Sequence, residues 1–145
     1  MQVLHYVLVA LVGYLVGSFS NGYVVARLWK GIDPRQHASG RTGGTNVLRS
    51  AGLGPAVVTA VGDILKGALA VMLARILVGT DAAEVLAGLA AVLGHNRSIF
   101  LGFQASGTSR GKFGVVLALA PHVVPFVAVA VVVVGLGTRV ASLAS

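Results

Sequence analysis

The fold class follows from an apolar stretch near the start of the chain. Residues 3–26 read VLHYVLVALVGYLVGSFSNGYVVA, in which the polar interruptions are His5, Ser18, Ser20 and Asn21. A helix needs roughly 20 apolar residues to cross the hydrocarbon core of a bilayer, and this stretch exceeds that length. No Lys or Arg precedes it, and it is long for the apolar region of a secretory signal peptide. We therefore predict a transmembrane span over 3–26.

The composition of the whole chain agrees with a membrane protein. Of its 145 residues, 56% are apolar and 10% are charged, and the mean hydropathy is +0.89. A soluble domain carries about 25% charged residues, so this chain lacks the charge to cover a water-facing surface, and disordered sequences need more charge still. The absence of Cys excludes disulfide scaffolds, Cys-ligated metal sites and thiol nucleophiles. We predict a single membrane domain over residues 1–145.

Further apolar stretches predict additional spans. They cover residues 53–78, 82–95 and 113–137, and the second of these is short and ends at Gly94-His95. Open sheet edges cannot lie in lipid, and no alternating pattern indicates a barrel. We therefore expect an all-α polytopic fold with four to five transmembrane helices, the fifth arising if the segment Pro121–Pro125 divides the last stretch into two arms.

The basic residues are concentrated in two connections between the predicted spans. Eight of the 11 Lys and Arg residues lie there, namely Arg27, Lys30, Arg35, Arg41, Arg49, Arg97, Arg110 and Lys112. The connection 79–84 has no basic residue but contains Asp81 and Glu84. Because cytoplasmic loops carry an excess of Lys and Arg, we predict that both basic loops are cytoplasmic and the N-terminus is outside. The side of Arg139 stays open.

The first basic loop has the composition of an anion-binding site. Residues 39–46 read SGRTGGTN and are followed by Arg49. Glycines such as Gly40 and Gly43 permit the positive φ angles that turn backbone N–H groups toward one point. Arg41 and Arg49 add charge that can bind a phosphate in bidentate fashion. The alternative is a plain flexible loop whose basic residues attract lipid headgroups.

An ionisable pair lies inside the second predicted span. Asp63 and Lys66 are three residues apart, so they share one helix face and are close enough to pair. Ionisable residues within a span are costly and are functional candidates by default. A structural ion pair between helices is the alternative, and a small dimeric transporter with Asp63 as its coupling site is another. His95 closes the third stretch and is either a substrate contact or an interfacial residue.

Taken in order, several motifs resemble one family. Gly17-Ser18 followed by Gly22 resembles an opening Gly-Ser-Ile-Pro-x-Gly, and residues 39–49 resemble Ser-Gly-Asn-Ile-Gly-Ala-Thr-Asn-x-x-Arg. Residues 63–67 fit Asp-x-x-Lys-Gly, and a helix ending in Gly-His follows. The chain is similar along essentially its whole length to the bacterial membrane glycerol-3-phosphate acyltransferases that use acyl phosphate as donor.

The resemblance implies an activity and a set of site residues. An acyl chain would pass from acyl phosphate to the 1-hydroxyl of glycerol 3-phosphate, giving lysophosphatidic acid and phosphate, without a cofactor, a metal or nucleic acid. Phosphate contacts would come from Ser39, Gly40, Gly43, Thr45, Asn46 and Arg49. Asp63 and Lys66 would support the site and His95 would contact substrate. The protein would lie in the inner (plasma) membrane with its active-site loops in the cytoplasm.

The chain departs from the family pattern at functional positions. Arg41 stands where the first loop of the family has Asn. The third motif, Phe-Lys-Gly-Gly-Lys-Gly in the family, begins FQASGT at residue 103, so Gln104 and Gly107 replace its lysines. Arg110 and Lys112 are the candidate replacements. Because family members continue through more spans, we expect a divergent or truncated member, and the alternative is a non-catalytic protein that binds phosphate-bearing lipid precursors.

Overall fold

The computed structural model describes residues 1–104, and the described part is helical. The predicted span 113–137, together with Arg110, Lys112 and Arg139, lies outside the described residues. The α-helices are α1 (Gln2–Ser18), α2 (Asn21–Lys30), α3 (Gly44–Ala51), α4 (Leu53–Leu77) and α5 (Asp81–Asn96), with short 3₁₀ turns at Pro34–Gln36 and Ile99–Leu101. No β-strand occurs within residues 1–104, as the sequence predicts.

The first apolar stretch is not one continuous helix. It divides into α1 and α2, because Phe19 and Ser20 have extended backbone conformations with ψ angles of 121° and 90°. The stretch predicted as a span over 3–26 therefore contains a break at Phe19-Ser20, and its crossing of the membrane stays a prediction. The span predicted over 53–78 agrees closely with α4, and the stretch 82–95 is one residue shorter at each end than α5.

Helices α1, α4 and α5 form a three-helix core. α1 runs parallel to α5 and antiparallel to α4, as shown by neighbours along α1: Tyr6 lies beside Thr80, and Tyr14 donates a hydrogen bond of 2.8 Å to the Arg97 carbonyl. Val9 packs against Ala74, Ala83 and Ala87. The N-terminus of α1 and the turn between α4 and α5 thus lie at one end of the core, and α2 lies at the other.

Glycines let α1 and α5 approach closely. A Cβ atom on Gly13 would lie 2.5 Å from the Ala87 carbonyl oxygen, and one on Gly17 would lie 2.0 Å from that of Ala91. On the opposite helix, a Cβ on Gly94 would lie 2.2 Å from the Tyr14 carbonyl oxygen. This is the small-residue packing that membrane helices use, since lipid provides no hydrophobic force between them.

The core has the polarity expected in a membrane. Most of its buried side chains are small or polar, including Thr59, Asp63 and Lys66, whereas most Leu residues on α1, α4 and α5 are exposed. Two helical stretches within residues 1–104 are long and apolar enough to cross a membrane: Gln2–Lys30, taken through the break, and Leu53–Leu77. The number of spans in the whole chain stays a prediction.

The connection between α4 and α5 is shorter than the sequence indicates. Gly79 (φ 70°) follows the end of α4, and the Thr80 side chain caps α5 by accepting from the Ala83 N–H. Glu84, expected in the connection, lies in the first turn of α5 and is buried. It forms a bidentate ion pair with Arg75 at 2.7 and 2.8 Å, so it joins two helices and is not a loop residue.

Candidate functional site

Asn46 holds the first basic loop in one conformation. Its amide nitrogen donates to the carbonyls of Pro34 and Arg41 at 2.6 and 2.7 Å, and its amide oxygen accepts from the Ser39 N–H at 3.0 Å. Asn46 is 3% exposed. All the hydrogen-bonding atoms of its side chain are thus used to fold residues 34–46 around it. This loop, residues 34–46 together with the first turns of α3, is called the phosphate loop below, after the role that the sequence predicts for it.

The entrance to the phosphate loop is fixed by an ion pair. Arg35 contacts Asp33 in bidentate fashion, with Nη2 at 2.7 Å and Nε at 3.0 Å, and its guanidinium lies 4.9 Å from the Tyr23 ring centre. The Asp33 carboxylate also accepts from the Arg35 N–H. These contacts lower the pKa of Asp33 from 3.8 to about 2, chiefly through the side-chain hydrogen bond from Arg35. The carboxylate is therefore ionised at neutral pH.

Several predicted phosphate-binding residues are exposed on this loop. They are Ser39, Gly40, Thr45 and Arg49, with Arg41 beside them. Gly40 has the positive φ angle (67°) that the sequence suggests, whereas Gly43 is buried with φ −76° and caps α3. The loop thus presents hydroxyl and guanidinium groups outward while Asn46 faces inward. The interpretation of Asn46 as a phosphate ligand stays a prediction, although its side chain is occupied within the loop.

A second group of predicted residues meets inside the helix core. Asp63 Oδ1 lies 3.1 Å from Lys66 Nζ and 3.9 Å from His95 Nδ1, and it accepts a hydrogen bond of 3.0 Å from Asn21 Nδ2. Asp63 and His95 are each 2% exposed and Lys66 is 8% exposed. A buried charge is tolerated only when it is paired and hydrogen-bonded, and the opposite charges of Asp63 and Lys66 satisfy that condition. These four side chains are called the Asp63 cluster below.

The Asp63 cluster lies at the break between α1 and α2. Lys66 Nζ also donates to the Phe19 carbonyl, and Ser98 Oγ donates to the Ser18 carbonyl, each at 2.5 Å. The last carbonyls of a helix have no partner within it, and in the interior they need one. Lys66 and Ser98 supply those partners, so the chain can leave the helical conformation at this depth.

Helix α2 connects the Asp63 cluster with the phosphate loop. Asn21 belongs to the cluster, and the next residue, Gly22, packs so tightly against the loop that a Cβ would lie 1.8 Å from the Thr42 carbonyl oxygen. Farther along, Ala26 packs with Val47 of α3. Helix α2 thus contacts the phosphate loop at Gly22 and helix α3 at Ala26.

Within residues 1–104, the structure places the predicted site residues in these two groups. Asn21 was not singled out from sequence, although it is one of few polar residues in the first apolar stretch. Its polarity was the available signal, but its partner Asp63 is 42 residues away. Arg110 and Lys112 lie outside the described residues. Among residues 1–104, no group of three or more His, Asp or Glu side chains is arranged to hold a metal ion.

The fold and the site together define a class: a helical membrane protein with an ordered, basic, glycine-rich loop at one end of its core. The chain belongs to the glycerol-3-phosphate acyltransferase family, whose model matches residues 7–145. This confirms the family indicated by the sequence motifs.

Named relatives and a solved structure support the assignment. The chain is 50% identical over 113 residues to the glycerol-3-phosphate acyltransferase of Synechococcus sp. (strain JA-3-3Ab), a match that covers 78% of this chain and 55% of the relative. It is 43% identical over 145 residues to that of Desulforudis audaxviator (strain MP104C), covering 100% of this chain and 73% of the relative. The chain thus spans about half the length of the first of these relatives.

The solved structure is that of PlsY (YgiH), an integral membrane glycerol 3-phosphate acyltransferase, in its glycerol 3-phosphate form. The TM-score is 0.74 with 37% sequence identity, and the match covers 83% of this chain and 60% of that one. The lysophosphatidic acid form of the same protein gives a TM-score of 0.73 and 36% identity. These similarities extend the likeness from sequence to the arrangement of the helices and agree with a membrane-embedded protein.

Proposed function

We propose that this protein transfers an acyl chain from acyl phosphate to the 1-hydroxyl of glycerol 3-phosphate. The observation that carries the proposal is the phosphate loop, in which Asn46 fixes the backbone while Ser39, Thr45 and Arg49 remain exposed at the basic end of the fold. Exposed guanidinium and hydroxyl groups on a fixed backbone suit a phosphate, which arginine binds in bidentate fashion. The solved relative in its glycerol 3-phosphate form supports this choice of acceptor.

The proposed reaction needs no covalent enzyme intermediate. The hydroxyl oxygen of glycerol 3-phosphate attacks the acyl carbonyl carbon, the bond between that carbon and the phosphate oxygen breaks, and inorganic phosphate leaves. The leaving phosphate takes the hydroxyl proton. Acyl phosphate is a mixed anhydride with a good leaving group, so the protein contributes chiefly by holding two phosphates in alignment.

We also propose an orientation in the membrane. The phosphate-loop end of the described fold carries Arg27, Lys30, Arg35, Arg41, Arg49 and Arg97, whereas Asp81 lies at the opposite end. The excess of basic residues favours a cytoplasmic location for the phosphate loop and an outside location for the N-terminus. In a bacterial cell this corresponds to the inner membrane. Glycerol 3-phosphate and the phosphate group of acyl phosphate would then reach the site from the cytoplasm.

The experiment is an assay of phosphate release from acyl phosphate by the purified protein, with and without glycerol 3-phosphate. We expect release that depends on the acceptor, and Arg49→Ala to raise the KM for glycerol 3-phosphate by about one to two decades, because a hydrogen bond to a charged group contributes about 1.5–3 kcal/mol. Arg49→Lys should restore only part of this loss, since Lys lacks the planar guanidinium.

The matched control is Lys30→Ala, which removes one exposed positive charge at the end of α2. It should leave the KM near that of the parent. A parent that binds glycerol 3-phosphate but releases no phosphate would contradict turnover and support the non-catalytic alternative. The replacement of both lysines of the third motif favours that alternative. A parent that does neither would refute the proposal.

A further inference from the structure

We infer that Asn21 is a positioning residue for glycerol 3-phosphate binding: it ties the start of α2 to Asp63, and α2 in turn holds the phosphate loop. This inference rests on the proposed function. The Asp63 cluster would then act on the substrate through the backbone of α2, and Asn21 would be the residue that couples the two groups.

The Asn21 side chain is fixed on two sides. Its Nδ2 donates to Asp63 Oδ1 at 3.0 Å. Its amide also packs against Gly62, where a Cβ would lie 2.8 Å from Asn21 Cγ. The absence of a side chain at Gly62 lets the amide approach the backbone of α4. Asn21 therefore connects α2 to α4 through a hydrogen bond to a charged group and a close backbone contact.

A displacement of Asn21 is transmitted directly to the phosphate loop. Gly22 follows it in the chain, and a Cβ there would lie 1.8 Å from the Thr42 carbonyl oxygen and 3.1 Å from Val47 Cγ2. Thr42 is 3% exposed. Because packed interiors leave no room for displacement, movement of the first turn of α2 must move the loop backbone at Thr42 as well.

The charge at this position matters as much as the shape. Asp63 Oδ1 already accepts from Lys66, so a neutral donor such as the Asn21 amide completes its hydrogen bonding without adding charge. A carboxylate at position 21 would stand beside that of Asp63, and the cluster would have a single ammonium, that of Lys66, to balance two negative charges. Exchanging Asn21 with Asp63 keeps one amide, one carboxylate and one ammonium in the cluster, so an amide can again donate to a carboxylate and the net charge is unchanged.

The test compares Asn21→Leu, Asn21→Asp and the exchanged variant Asn21→Asp/Asp63→Asn. We expect the KM for glycerol 3-phosphate to rise about tenfold in the single variants, the scale of one lost hydrogen bond to a charged group, with kcat changing less. The exchanged variant should recover to within about threefold of the parent KM, because the same pair of groups is restored.

A second readout follows the loop itself without turnover. The chain has no Cys, so Val47→Cys, which is fully buried beside Gly22 in the first turn of α3, reacts with a maleimide in each background only when the loop and α3 move away from α2. The labelling rate should rise in Asn21→Leu and Asn21→Asp and return in the exchanged variant. Thr59→Val is the control: it lies fully buried on α4, and within the described residues its hydroxyl has no hydrogen-bond partner. It should change neither KM nor labelling rate.

The outcomes separate this inference from the proposed function. A parent without acceptor-dependent turnover or glycerol 3-phosphate binding contradicts the function, whereas the labelling rates still report whether Asn21 holds the loop. Asn21→Leu with the parent's KM and labelling rate overturns the inference. If Asn21→Leu does not fold, the other pair decides: an exchanged variant as defective as Asn21→Asp overturns it, and a recovered one supports it.

Discussion

Removing the side chain of Asn46 should disorder the phosphate loop. Asn46→Ala deletes three hydrogen bonds, two to the carbonyls of Pro34 and Arg41 and one from the Ser39 N–H. Each such bond has a net value of about 1 kcal/mol. Ser39 and Arg41 are exposed and can be rehydrated, whereas Pro34 is buried and leaves an unsatisfied carbonyl. We therefore expect the free energy of loop ordering to fall by about 1–3 kcal/mol.

The assay pairs titration calorimetry of glycerol 3-phosphate with maleimide labelling of the buried position Val47→Cys in detergent-solubilised protein. Since binding must then supply the ordering energy, affinity should fall by about one to two decades, and the labelling rate should rise. Asn46→Asp should be no better, because it keeps the acceptor for Ser39 but places a carboxylate against two carbonyls. The matched control is Ser50→Ala, which removes one hydrogen bond of 2.8 Å to the Asn46 carbonyl and leaves the loop contacts intact.

The two readouts distinguish a loop-building residue from a phosphate ligand. A ligand would lose affinity on substitution while the labelling rate of the loop stayed at the parent value. A loop-building residue changes both together. If Asn46→Ala bound glycerol 3-phosphate with the parent's affinity and was labelled at the parent's rate, the reasoning from its buried hydrogen bonds would be refuted.

Two further predictions concern packing and orientation. In thermal unfolding, Gly17→Ala should destabilise the fold by about 1–3 kcal/mol, because its Cβ would lie 2.0 Å from the Ala91 carbonyl oxygen. The control is Gly54→Ala, whose Cβ would lie 3.5 Å from the Trp29 ring. It should be neutral or slightly stabilising in the same measurement. In inverted and right-side-out vesicles, Gln36→Cys should react with an impermeant maleimide from the cytoplasmic side and Asp81→Cys from the outside, and the reverse pattern would contradict the proposed orientation.

Local sequence features predicted the helices and the ion pair well. The long apolar stretch from Leu53 shows in the sequence because hydropathy depends only on neighbouring residues, and α4 ends within one residue of the prediction. Asp63 and Lys66 are three residues apart on one helix, so their contact at 3.1 Å follows from helix geometry alone. The glycine-rich composition of the phosphate loop likewise indicated its positive φ angle at Gly40.

The features that sequence reasoning missed depend on partners far along the chain. The donor to the Phe19 carbonyl at the helix break is Lys66, 47 residues later, and nothing near Phe19 reveals it. The burial of Asn46 was missed for a related reason, since a Gly/Ser/Thr/Asn loop has the same composition whether its Asn faces a ligand or its own backbone. The direction of that side chain is set by three contacts across the loop.

The break in the first helix accounts for the polar residues in the core. Ending α1 within the helix core frees backbone carbonyls, which need hydrogen-bond donors in the buried interior. Lys66 donates to one of them, but a buried ammonium needs a counter-charge, and Asp63 provides it. The carboxylate then needs further donors, and Asn21, the first residue after the break, supplies one. The same break starts α2 at the place where Gly22 contacts the phosphate loop. The sequence left two interpretations of the Asp63–Lys66 pair open, a functional one and a structural one. The two are connected, because the pair stabilises the helix break and the break positions the phosphate loop.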